Sequence, residues 1–137
     1  TQQKVREIMD KLYLNQPDGL CGDEDNGQTS AWFVFSALGF YPVCPGSGEY
    51  VLGSPLFKKS TITLSNGQKF IIEAEKNDRN RPYIGKAWLN GKAYSKSYLV
   101  HDELIKGGIL RLEMQDTPSL QRGTNKDDVP YSMSKND

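Results

Sequence analysis

In 137 residues the chain has one histidine, two cysteines, no net charge and no apolar run approaching 18 residues. Seventeen basic and seventeen acidic residues cancel, so electrostatics give no case for nucleic acid or an anionic membrane surface as partner. The lack of a long apolar run leaves nothing to span a bilayer as a helix. Two cysteines are too few for a disulfide scaffold. Cys21 and Cys44 flank one predicted helix, and both pairing and two free thiols are compatible with that spacing. The only histidine, His101, stands before a short helical turn, where a cap or a packed ring explains it better than catalysis. Residues 1–10 read directly as helix, so a signal peptide is not expected there. The first residue is Thr1 instead of Met, as expected of a processed or cut segment.

Acid is concentrated in one place. Gly19-Leu20-Cys21-Gly22-Asp23-Glu24-Asp25-Asn26-Gly27-Gln28 puts three carboxylates side by side between glycines, immediately before an apolar run. Adjacent carboxylates repel, and ordering them is unfavourable unless a cation, a donor or a substrate compensates. Glycines let the backbone take up positive φ and let a ligand come close. A helix starting near Gln28 aims its positive end at the loop. Two readings stand: a carboxylate site held on a rigid element, or a helix cap with solvated acids.

Val5, Ile8, Met9 and Leu12 lie at helical spacing and predict an amphipathic helix over 2–14, stopped by Pro17-Asp18-Gly19. A second helix is expected over 28–39. It is apolar almost all round, with Ala31, Trp32, Phe33, Val34, Phe35, Ala37 and Leu38, and should be thoroughly buried. One other helix cannot cover it, so its partners are either the sheet or chain lying outside this sequence. After Gly48 the pattern turns to strands at 49–53, 61–64, 69–75, 83–89, 97–100 and 109–114. Asn66-Gly67 and Asn90-Gly91 mark hairpins, and a helical turn is expected at 101–106. The segment from about Thr117 lacks periodicity and is expected to be mobile. The fold class is therefore α+β: two helices, then an antiparallel sheet or sandwich of five to seven strands.

The run from Gly19 to Pro42, with Asp23-Glu24-Asp25-Asn26-Gly27-Gln28-Thr29-Ser30-Ala31-Trp32 and Ala37-Leu38-Gly39-Phe40-Tyr41-Pro42, resembles a signature of glycoside hydrolase family 92. Tyr50-Val51-Leu52-Gly53-Ser54-Pro55, Leu89-Asn90-Gly91-Lys92 and His101-Asp102-Glu103-Leu104-Ile105-Lys106-Gly107-Gly108 fit the same pattern, so the resemblance runs to about Thr117. It implies calcium-dependent exo-acting α-mannosidases, much longer than this chain, built from an N-terminal β-sandwich, an (α/α)6 barrel and closing strands. Residues 1–47 would then be the end of the helical barrel with the acidic loop, 48–116 an antiparallel β subdomain, and 117–137 a flexible tail. The location implied is periplasmic, secreted or outer-membrane associated.

Inverting glycosidases place two carboxyl groups across the scissile bond, one protonating the leaving oxygen and one activating water. Asp23 and Asp25 match the family's base side. Asp25 is expected to be the main general base, with Asp23 assisting or holding the water, while Glu24 turns elsewhere, to the helix N-terminus or to a basic partner. Gln28 could bond the sugar or cap the helix. The general acid and most calcium ligands would lie outside this chain, since one acidic loop cannot supply six to eight oxygens. The implied partners are α-mannoside glycans, most simply α-1,2-linked, and the isolated chain should be inactive. A further expected contact is self-association through the apolar face of the helix at 28–39. Trp32 and Trp88 could stack a sugar, but each lies on an element where core packing explains it. The alternative is a free-standing carbohydrate-binding or structural β-module, with Trp88 or Tyr94 as its platform.

Overall fold

In the computed structural model, which describes residues 1–135, the first apolar stripe folds as α1 (Gln2–Leu12). Met9 is its buried residue, and Leu12 is left half-exposed at the end. The second helix, α2 (Gln28–Leu38), packs against α1. It turns Phe35 and Leu38 into the core, but it is not thoroughly buried: Ala31 is exposed and Val34 is 56% exposed. An all-round apolar helix with one bare face corrects the expectation of complete burial. The fold supplies cover on one side only.

Gly39 ends α2 at φ 99°, with its N–H shared between the carbonyls of Phe35 and Ser36. The next segment locks back on to this end, Gly53 N–H bonding Gly39 O and Leu56 N–H bonding Ala37 O, both at 2.8 Å. A Cβ at Gly39 would stand 2.8 Å from the Cβ of Pro55. Gly39→Ala combines that overlap with left-handed strain of roughly 1–2 kcal/mol, so we expect thermal unfolding several degrees lower, read by circular dichroism.

Eight strands follow: β1 (Phe40–Tyr41), β2 (Glu49–Leu52), β3 (Lys59–Thr63), β4 (Lys69–Glu75), β5 (Tyr83–Leu89), β6 (Lys92–Ala93), β7 (Tyr98–Val100) and β8 (Gly108–Gln115). A short helix, α3 (His101–Leu104), joins the last two. The strands form a three-stranded antiparallel sheet, β1-β2-β7, and a five-stranded sheet, β3-β4-β8-β5-β6. All six expected strands are present, and β1 and β6, two residues each, are additional. One pairing differs from a wholly antiparallel sheet: β4 and β8 run parallel, Phe70 opposite Gly108 through Glu75 opposite Glu113. Hairpin signals report neighbours in sequence and are silent about such a long-range pair.

Alternation builds the core. Phe70, Ile72 and Ala74 of β4 and Leu110, Leu112 and Met114 of β8 face inward. In β5 the inward residues are Ile84 and Ala87, three apart, because a bulge at Gly85 shifts the register. These join Phe40, Leu52, Leu99 and Leu104 in one cluster, with Phe35 and Leu38 of α2 packed against it. Asn90 (φ 51°) and Gly91 (φ 79°) make the primed turn of the β5–β6 hairpin.

Residues 117–135 contain two short 3-10 turns but no strand or α-helix. Where lack of periodicity led to an expectation of mobility, the structure ties this segment to β7 and the run before it. Asp128, 4% exposed, accepts from Ser95 Oγ and from Asn125 Nδ2. Its carbonyl takes the N–H and hydroxyl of Ser97, and Arg122 donates to Lys96 O. The Ser95 hydrogen bond, aided by those from Asn125 and by the charge of Arg122, lowers the Asp128 pKa against the opposing effect of desolvation. A depressed carboxylate contributes stability above its unfolded value, about 4, and loses it as pH falls through the lower folded value. Protection of the Ser97 amide, its exchange compared with that of an unstructured amide at the same pH, should therefore weaken below about pH 4, and Asp128→Asn should remove that weakening.

Candidate functional site

The acidic loop sits on the first turn of α2. Gly27, at φ 88°, is the residue before the helix, and Asp25 (φ 43°) and Asn26 (φ 62°) share its left-handed conformation. Asp and Asn tolerate this region better than other side-chain-bearing residues. The chain therefore turns sharply between the acids and the helix. Glu24 bends back: its Oε1 and Oε2 accept from the Ser30 N–H at 3.3 and 3.2 Å. That satisfies an orphan donor of the third helical residue with a negative charge at the helix's positive end. Of the two destinations expected for Glu24, a basic partner or the helix N-terminus, it takes the second.

Asp23 and Asp25, on either side, are exposed, and neither carboxylate has a hydrogen bond or ion pair among the described residues. The loop's other ties use its backbone. Thr29 Oγ1 donates to Asp23 O at 2.9 Å, Thr29 N–H reaches Glu24 O at 3.5 Å, and Gln28 N–H reaches Asp25 O at 3.4 Å. Thr29 is 8% exposed, and its own carbonyl accepts from the Tyr13 hydroxyl at 3.1 Å. Tyr13 stacks on Trp32 with ring centroids 5.6 Å apart and meets Phe33 at 4.9 Å. Burial first, then the neighbouring Cys21, push the Tyr13 pKa up to about 12, so its hydroxyl stays a donor. Tyr13 and Thr29 escaped the sequence reading; the one available hint was a hydroxyl residue within the first helical turn.

Gln28 is exposed at the first position of α2, and its side chain has no partner among the described residues. Its reading as a helix cap is set aside, because Glu24 does that work. Cys21 and Cys44 are both free. His101 is exposed, with Nδ1 2.8 Å from the Tyr50 hydroxyl. Trp32 is occupied by Tyr13, and the Trp88 ring has the Arg111 guanidinium 5.9 Å from its centroid. Neither indole lies bare on the sheet as a sugar platform would. Lys59, Arg79 and Arg81 pair on the surface with Glu73, Asp10 and Asp78.

The residues do not fit a complete calcium cage. Among the described residues no three of His, Cys, Asp and Glu gather where they could hold a metal ion, and Glu24 is engaged by the helix. Among them, too, no helix is long and apolar enough to cross a membrane.

Residues 1–116 match the family model described as the glycosyl hydrolase family 92 catalytic domain, and the chain belongs to that family. A solved family GH92 inverting mannosidase from Bacteroides thetaiotaomicron is 58% identical, with a TM-score of 0.90 over 98% of this chain and 18% of its own. A family GH92 α-mannosidase of the same organism, in complex with mannoimidazole, is 39% identical, with a TM-score of 0.92 over 96% of this chain and 17% of its own. An uncharacterized secreted glycosidase of Arthroderma benhamiae is 30% identical over 119 residues, 84% of this chain and 15% of that protein. The chain thus spans less than a fifth of the length of these relatives.

Proposed function

We propose that this chain supplies the base side of the active site of an exo-α-mannosidase that removes terminal α-linked mannose, α-1,2-linked in the first instance, with inversion. The observation that carries the reading is the free pair Asp23 and Asp25 on a loop whose middle acid, Glu24, is engaged by α2. Asp25 is the general base that takes a proton from the attacking water, and Asp23 holds or assists that water. Gln28, exposed beside them, contacts the sugar. The general acid is a carboxyl group from outside this chain, at the roughly 6.5–9.5 Å separation that inversion requires.

Calcium belongs to the same proposal, with its ligands chiefly outside this chain. Residues 1–47 form part of the helical catalytic region and 48–116 an associated β subdomain, with 117–137 a segment that follows it. The bare face of α2 around Ala31 and Val34 is where further chain of the catalytic region packs, and in the isolated chain it is a surface for self-association. The enzyme works outside the cytoplasm, secreted or periplasmic, as the description of the Arthroderma relative supports.

The test is hydrolysis of α-1,2-mannobiose with calcium, by this chain alone and by the complete polypeptide that carries it, with the product anomer followed by NMR. The complete protein should release β-mannose first, lose activity to a chelator and regain it with calcium. The isolated chain should be silent. Activity in the isolated chain would place a second catalytic acid within these residues and overturn the split site.

A further inference from the structure

We propose that Glu24 and Thr29 are positioning residues that fix the two free carboxylates relative to α2. This inference rests on the reading of Asp25 as general base.

A loop with three consecutive left-handed residues, at 25, 26 and 27, has little internal support. It is held from the helix by two side chains. The Glu24 carboxylate accepts from the Ser30 N–H, and the buried Thr29 hydroxyl donates to the Asp23 carbonyl. Thr29 is anchored in turn by Tyr13, which is packed between Trp32 and Phe33. No tie ends on the carboxylate of Asp23 or Asp25 among the described residues. The clamp thus grips the loop before and between the working acids while leaving both free for water and substrate. Glu24 alternates with them in sequence and points to the helix, so its engagement separates the three carboxylates into one structural and two available.

A base must stand within hydrogen-bond reach of the water it activates, and a misplacement near 1 Å can lower the rate by about 10²-fold. The experiment uses the complete polypeptide with α-1,2-mannobiose as substrate and mannoimidazole titration to count binding sites. Glu24→Ala should lower kcat per binding site by roughly 10-fold to 10²-fold with KM little changed. Glu24→Gln keeps an acceptor for the Ser30 N–H and should recover most of that loss. Thr29→Val should lower kcat per site, and Thr29→Ser should restore it. A purely structural role would reduce the number of binding sites and the melting temperature and leave kcat per site alone. That result, or a Glu24→Gln variant as slow as Glu24→Ala, overturns the proposal. If Glu24→Ala does not fold, the Thr29 pair and Glu24→Gln carry the same test. Asp25→Asn is measured alongside. If it is inactive while Glu24→Ala and Thr29→Val keep wild-type kcat, positioning alone fails. If Asp25→Asn is fully active, the base assignment fails and takes the positioning role with it.

Discussion

Asp25→Asn in the complete polypeptide should lower kcat by about 10²–10⁴-fold, the range for loss of a general base, with a smaller loss for Asp23→Asn. Asparagine suits the test because it accepts the left-handed backbone that Asp25 occupies at φ 43°. The loop should therefore keep its shape while losing the carboxylate proposed to take the proton. No partner of the Asp25 carboxylate exists among the described residues, so the substitution leaves no buried donor stranded. Unchanged melting with a collapsed kcat is the expected signature. A melting temperature that falls with kcat would assign Asp25 to stability instead.

The second large effect concerns stability. Arg6 of α1 reaches into the segment after β2, donating to Ser54 O at 3.3 Å and to Ser54 Oγ at 3.0 Å, and also to Pro55 O and Asn77 Oδ1. Asn77, 3% exposed, donates in turn to Pro55 O at 3.1 Å and Phe57 O at 3.0 Å. Burial lowers the Arg6 pKa, with the charge of Asp78 acting the other way, and its hydrogen-bond partners are neutral groups. Asn77→Leu would leave Phe57 O without that donor and take one acceptor from Arg6. At about 1–3 kcal/mol per stranded buried group, the loss should be roughly 2–5 kcal/mol. Arg6→Met should lose a similar amount, and the double variant should lose less than the sum by about 1–3 kcal/mol because the two share a network. Urea unfolding of the four proteins measures this. Strict additivity would mean that α1 and the 54–57 segment are not coupled through Asn77.

Much of this was readable in advance where the signal was local. Strands β4 and β8 announce themselves by alternation, β2 and β5 by short runs rich in aromatic and β-branched residues, and the Asn90-Gly91 turn by its residues. The end of α2 is marked by Gly39. The acidic loop stood out because three adjacent carboxylates need a reason, and the turn of Glu24 to the helix followed from the charge at a helix N-terminus. What escaped depends on distant partners. The parallel β4–β8 pair joins segments some forty residues apart, and the bulge at Gly85 arises from pairing with β8. Tyr13 reaches Thr29 only because α1 and α2 pack together. The bare side of α2 escaped for another reason: composition says how much apolar surface a helix has, not which neighbours cover it.

The place of β8 in the sheet has a consequence for assembly. This strand lies between β4 and β5 and carries Leu110, Leu112 and Met114, each 1% exposed or less, yet it comes after both partners in the chain. The β3–β4 and β5–β6 hairpins can form early, since their contacts are local. They cannot be joined into one sheet until residues 108–115 have left the ribosome and inserted between them. Until then β4 and β5 each keep an open edge and an uncovered apolar face, and this interval is when a nascent chain would most need a chaperone.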